Sequence, residues 1–325
     1  MSLFLTPNER EAVQQQRHFQ PMSEYLWVLR NRALARAVNP GIIDHTTTVE
    51  WWHCFAEYMT DGAMAYALFR DETVGCWLRS NALASCNRPL DDWIGPWFRN
   101  HHSNPPLGHL ETAHLSWGVA VTYDLAKELF SAADAELIRT TLVERAIPLC
   151  RNWLEAARHL NNWRCVLLAG LTTASAVCDR EDQLDFILAQ HRLCTAAFQA
   201  DGSYGESLQY SNYAMYGLMI ATEALLRWQP ELAKELDIAA YARGMRWHAA
   251  SLFYRKPLEG WGPYPRPRAA NFNDSAAMFA PSSDVLCHIA VRAAQQCPEE
   301  AGLAAWILET FCPPTPEQQP TDRHT

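Results

Sequence analysis

Basic residues are in short supply in this 325-residue chain: 27 Lys and Arg face 36 Asp and Glu, for a formal net charge of −9. That balance argues against nucleic acid as a partner, because neutralising phosphates takes a clustered cationic excess. Long apolar runs are missing too. No stretch approaches the roughly 18 uninterrupted apolar residues of a membrane-spanning helix. The opening MSLFLTPNEREAVQQQRHF lacks the basic and then apolar segments of a signal peptide, so the sequence predicts a cytoplasmic chain with no membrane partner. The 10 cysteines show no C-x-x-C pair and sit mostly among Ala, Val and Leu, so they read as small core residues in a reducing compartment rather than as disulfides or zinc ligands. No metal and no cofactor is expected. Glycine (14) and proline (19) are too few for a collagenous or low-complexity chain, and 49% apolar against 19% charged residues supports a substantial core.

Alternating β-branched runs are nearly absent, and helical spacing stands in their place. It predicts helices near 22–38, 49–70, 72–86, 109–127, 132–156, 160–178, 183–199, 206–228, 231–253, 275–293 and 299–310. Ser131 and Asp134 read as a capping start, and Gln229-Pro230 as the stop after Trp228. Leu184, Ile187, Leu188, His191, Cys194 and Phe198 share one face, which is therefore buried. Helices joined by short connections make hairpins, and hairpins build a solenoid, a bundle or a closed α/α toroid. No repeat of fixed period favours an array. Two long irregular stretches, 87–108 and 254–274, mix Trp, Pro, Gly, Arg and Asn, a composition and length common in functional loops. From 313 the chain reads PPTPEQQPTDRHT, a linker or tail.

Three short motifs carry chemistry. In DGSYGESLQYSNY (201–213), Glu206, Tyr210, Tyr213 and Gly217 fall on one helical stripe, opposite Leu208, Met215, Met219 and Leu226. The polar stripe then looks outward or into a cleft, where a carboxylate and two phenols beside a glycine can move protons and admit a ligand. An ordinary amphipathic helix fits the same pattern. In HLNNWR (159–164), either asparagine suits an N-cap, but Asn161 and Asn162 followed by Trp163 and Arg164 exceed what capping needs. An amide at a helix N-terminus is suited to holding a carboxylate. In NFNDS (271–275), Asp274 or Ser275 reads as an N-cap.

Taken in this order and spacing, the motifs resemble those of the α/α-toroid domain of the heparinase II/III-like polysaccharide lyases. The preceding HLSWGVAVTYDLAKELFSAADAELIRTTLVERAI is similar to a helix-loop-helix of that family. The resemblance covers roughly 105–310, with 1–104 fitting as additional toroid helices. It implies an all-α fold, an incomplete α/α toroid of helical hairpins over 1–312, with 313–325 a tail or linker to the β-sandwich domain that relatives carry and this chain lacks. It also implies β-elimination of a uronic-acid glycan, an anionic partner. In these lyases an Asn, often beside a His, neutralises the uronate carboxylate, and a Tyr removes the C5 proton or protonates the leaving O4. On matching positions Asn162 or Asn161 is the neutraliser, and Tyr210, then Tyr213, the proton-transfer residue.

A phenol of ordinary pKa ~10 must be lowered to act as base, a task for Arg164 or for Arg266 or Arg268 in the second long loop. Trp163, Arg164, Glu206, Trp97, Trp261, Arg266, Arg268 and Asn273 are the candidate substrate-binding residues. Trp51, Trp52, Trp93 and Tyr264 join Trp97, Trp163 and Trp261 as surfaces on which sugar rings can stack. Relatives bring a histidine from their second domain. Here His101, His102, His109 and His114 are available, with Glu111 three residues before His114 on one helix. The resemblance thus implies weak or no turnover for the chain alone. Two other readings fit the composition: an inverting α/α-barrel glycoside hydrolase drawing two acids from Asp61, Glu111, Glu206 and Asp274, or a non-catalytic carbohydrate-binding helical domain.

Overall fold

Where apolar residues recur at helical spacing the chain folds as helix. The computed structural model describes residues 2–39, 51–95, 103–256, 266–269, 272, 275 and 281–311. Its helices are α1 (Pro7–Gln16), α2 (Met22–Val38), α3 (Trp51–Phe69), α4 (Glu72–Cys86), α5 (Leu90–Ile94), α6 (Leu110–Leu125), α7 (Ala132–Thr141), α8 (Ile147–Ala156), α9 (Asn162–Cys178), α10 (Leu184–Thr195), α11 (Leu208–Trp228), α12 (Ile238–Ala242), α13 (Gly244–Ser251), α14 (Ser283–Arg292) and α15 (Pro298–Phe311). The all-α class holds for the described residues except for one antiparallel pair, β1 (Leu252–Lys256) and β2 (Arg266–Ala269). The expected tail 313–325 lies outside the described residues.

Local chemistry sets the boundaries. Ser131 and Asp134 form the anticipated capping box of α7, and α11 stops at Trp228 ahead of Pro230. Thr6 and Glu9 make a second capping box with Pro7 at the first helical position, starting α1, which the periodicity did not reveal. The helix expected over 132–156 is interrupted by a π turn, Leu142–Ala146. Pro148 follows that turn and has no N–H to give to the carbonyl four residues back. The helix expected over 231–253 is broken into a short 3-10 turn, α12 and α13, with Asp237 capping α12 through Ala240 N at 2.9 Å. The ends of the loop expected over 254–274 pair as β1 and β2.

Every second or third helix belongs to one parallel set. Trp52 of α3 meets His114 of α6 with ring centroids 4.7 Å apart, and further along Thr122 Oγ1 donates to the Met59 carbonyl at 3.4 Å. His109 at the start of α6 meets Trp163 at the start of α9, and Ala113 lies against Gly170. On α11, a Cβ at Gly217 would stand 2.6 Å from the Cys165 backbone, so only glycine lets α9 and α11 approach this closely. At their far ends Trp228 Nε1 donates to Asp179 Oδ1 at 3.0 Å. Asn212 meets Ser282 just before α14, and Glu223 meets His288 and Arg292 within it. Helices α3, α6, α9, α11 and α14 therefore start at one end of the molecule, and the elements between them carry the chain back.

At the opposite end, Asp124 of α6 accepts from Ser2 Oγ, Leu3 N and Phe4 N at 2.6, 2.7 and 2.9 Å, while Arg227 of α11 pairs with Glu9. The core is continuous through the set and includes Met59, Leu115, Leu167, Leu168, Met215 and Leu218. Cys86, Cys150, Cys165, Cys178, Cys194 and Cys297 are buried free thiols, as expected, whereas Cys54 is half-buried and Cys76 and Cys287 are exposed, against that expectation. The α10 face is buried too, with His191 Nε2 3.1 Å from Thr222 Oγ1. Among the described residues no helix is long and apolar enough to cross a membrane.

Candidate functional site

The motifs sit where the parallel helices begin. Asn161 occupies the N-cap position of α9, yet its side chain makes no capping bond. Glu206 does that work from the turn before α11: its Oε2 accepts from Asn162 N at 2.8 Å, and its two oxygens accept from Asn162 Nδ2 at 2.9 and 3.0 Å. A carboxylate is stable there because the first N–H groups of a helix lack intrahelical partners and carry the positive end of its dipole. Ser207 caps α11 through Tyr210 N and touches the Ser275 hydroxyl, so Ser275 of the 271–275 motif reaches the 201–213 motif. The Asn-Asn and Glu-Tyr motifs thus meet across forty-odd residues of sequence.

One turn deeper, Tyr213 OH lies 2.7 Å from His114 Nε2. The His114 ring is wedged between Trp52 and Trp117, with centroids 4.7 and 4.0 Å away. One helical turn before His114 is Glu111, 1% exposed, and neither of its carboxyl oxygens has a partner. Gly95 makes room for it at φ +116°: a Cβ there would stand 2.6 Å from Glu111 Cδ. Burial pushes the Glu111 carboxyl up to about 7. Burial also raises the Tyr213 phenol well above its ordinary 10, with Glu111 and Glu57 acting in the same direction. The phenol therefore stays protonated, within hydrogen-bond reach of the imidazole.

Several expectations are corrected by this geometry. At Tyr213 the expected lowering of the phenol is replaced by its opposite, and Arg164 is buried and committed elsewhere. Its guanidinium donates to the carbonyls of His159 (3.1 Å), Leu154 (3.2 Å) and Ala157 (2.5 Å), and to Gln190 Oε1. It pins the α8–α9 connection. The stripe of Glu206, Tyr210, Tyr213 and Gly217 does not open to a ligand along its length, because α9 backbone fills the space beside Gly217. Glu206, Tyr210 and Tyr213 are partly accessible and Gly217 is buried. Trp93 is core, donating to the Ser85 carbonyl at 3.1 Å, and Trp52 is buried under His114. Trp163 is half-buried, between His109 and Trp153.

Arg266 and Arg268 lie on β2, opposite Lys256 and Tyr254 in register. Trp97, Trp261 and Asn273 lie outside the described residues, as do His101, His102, Tyr264 and Asp274. Of the acids considered for hydrolysis, Asp61 is ion-paired to Arg36 at 2.8 Å and Glu206 is bound to Asn162, so among the described residues neither is free to pair with Glu111 in that role. The residue that sequence reasoning undervalued is His114. Its one signal was the three-residue spacing from Glu111.

Among the described residues no group of His, Cys, Asp and Glu is disposed to hold a metal ion. No protein-family model matches this chain, and no curated protein matches it significantly.

Proposed function

We propose that this chain is an α/α-toroid lyase domain, akin to the heparinase II/III-like enzymes, that cleaves uronic-acid glycans by β-elimination. The observation that carries the reading is the Tyr213–His114 hydrogen bond of 2.7 Å beside a buried, partnerless Glu111. The parallel set α3, α6, α9, α11 and α14 is the inner wall of the toroid, and the glycan enters where these helices begin. The C5 proton of a uronate is acidic only once the adjoining carboxylate is neutralised. Glu111, protonated near neutral pH, donates a hydrogen bond to that carboxylate and so supplies the neutralisation. Tyr213 oxygen takes the C5 proton as its own proton passes to His114 Nε2. The C5–H electrons form the C4=C5 double bond, the C4–O4 bond breaks, and the phenol of Tyr210 protonates the departing oxygen.

With His114 supplied from α6, the proton acceptor comes from within the domain, and turnover does not wait on a histidine from a second one. The substrate is an anionic oligosaccharide of the cytoplasm, and neither nucleic acid nor membrane is a partner. The test is incubation with glucuronate- and iduronate-containing oligosaccharides while following the ultraviolet absorbance of the new double bond. Tyr213→Phe should lower kcat at least about 100-fold with little change in KM, since proton transfer is lost and binding is not. A product with an ordinary saturated ring would replace the lyase with a hydrolase. Binding without any turnover would replace it with a carbohydrate-binding domain.

A further inference from the structure

Asn162 is where the geometry departs furthest from a carboxylate-neutralising amide. A carboxylate that already accepts a backbone N–H can only accept again, so the end of the Asn162 side chain against Glu206 is its amino group. The planar amide then turns its carbonyl oxygen away from Glu206. That Oδ1 is buried without a partner on a residue only 3% exposed, and the Oδ1 of Asn161 beside it is also without one. Unmet buried acceptors are rare in folded proteins and each is costly. A substrate carboxylate brought here would face two carbonyl oxygens backed by a third acceptor, Glu206. A hydroxyl group would satisfy them. Trp163, next in the chain and half-buried, adds an aromatic surface suited to a pyranose ring.

We propose that Glu206 is a positioning residue that holds the Asn162 carboxamide with its carbonyl turned away from the Glu206 carboxylate, so that Asn161 and Asn162 form an acceptor site for a sugar hydroxyl. The inference rests on the glycan-lyase reading and assigns the substrate carboxylate to Glu111 instead. It makes the Asn-Asn motif a determinant of which hydroxyl the sugar presents, not of its charge.

The experiment uses the full chain, a panel of glucuronate- and iduronate-containing tetrasaccharides, and the carboxyl-reduced form of each, with affinity read by calorimetry. The pair swap Asn162→Asp with Glu206→Gln reverses the hydrogen bond while keeping an acceptor on the side away from residue 206. It should bind within about threefold of the unmodified chain, whereas Asn162→Asp alone, with two carboxylates face to face, should lose about tenfold or more. Carboxyl reduction should weaken the unmodified chain and the swap by the same factor, since residue 162 does not touch that group. Should the swap fail to fold by circular dichroism, Asn161 serves, because its Oδ1 has no protein partner to lose: Asn161→Asp should keep affinity and Asn161→Ala should lose about fivefold. A swap, or an Asn161→Asp variant, that loses more than tenfold, or one for which carboxyl reduction no longer matters, overturns the acceptor site and leaves the lyase reading intact. An unmodified chain that neither binds nor cleaves any of the panel overturns both.

Discussion

Glu111→Gln separates the two properties of a buried carboxyl, its size and its charge. The side chain is 1% exposed, has no hydrogen-bond partner on either oxygen, and is raised by burial from an ordinary 4.5 to about 7. Such a displacement makes the ionised form about 3 kcal/mol more costly in the folded chain than in the unfolded one. Between these two values the unfolded chain releases a proton that the folded chain keeps. Stability is therefore greatest below pH 4.5, falls as the pH rises toward 7, and is flat above. Gln is neutral throughout and nearly the same size. From pH 5 to pH 8 the variant should gain about 2.5 kcal/mol relative to the unmodified chain, as the integrated form of that linkage gives. Urea unfolding at both pH values, followed by tryptophan fluorescence, measures it through the midpoint at unchanged slope. An equal stability difference at pH 5 and pH 8 would refute the argument, because it would mean that Glu111 ionises in the folded chain as freely as in the unfolded one. The same substitution should also flatten the alkaline limb of the elimination rate near pH 7, since an amide donates at every pH.

Other expectations follow from packing and pairing. Gly217→Ala puts a Cβ 2.6 Å from the Cys165 backbone and should destabilise by about 1–3 kcal/mol, whereas Gly205→Ala, with nothing within 4 Å, should be neutral or stabilising by about 0.5 kcal/mol; denaturant midpoints distinguish them. At Glu223, burial pulls the carboxyl upward, but hydrogen bonds from His288 and Arg292 outweigh it and leave it at about 2. Its stabilisation is present above pH 4.5 and lost as the pH falls toward 2, so Glu223→Gln should lower stability at pH 7 and leave it unchanged at pH 2 in the same unfolding assay. Arg164→Lys should lower the thermal midpoint, because a lysine cannot reach three carbonyls in the fork of a guanidinium, while kcat of the folded fraction stays the same; a lost kcat at unchanged stability would return Arg164 to the cleft.

The sequence by itself determined most of the helices, though not α1 or the breaks within 132–156 and 231–253. Apolar spacing and local caps act within a few residues, so 22–38, 72–86 and the stop after Trp228 were legible without any partner. It also singled out the two motifs whose helix starts converge, through the paired asparagines at 161–162 and the helical stripe of Glu206, Tyr210 and Tyr213, although only Ser207 caps its own helix and Glu206 caps α9 from forty-four residues away. What the tertiary structure alone decided is which of these polar groups are occupied. Arg164 looked available until the α8–α9 connection folded around it, and Asn162 looked like a donor until Glu206 took its amino group. Gly217, on a stripe that looked open, is the contact point of α9. The same packing brought His114, ninety-nine residues away in sequence, onto Tyr213, and left Glu111 dry beside Gly95. Hydrogen-bond partners and desolvation belong to pairs of groups, and for these residues the pairs come from helices that lie far apart in the chain and side by side in the fold.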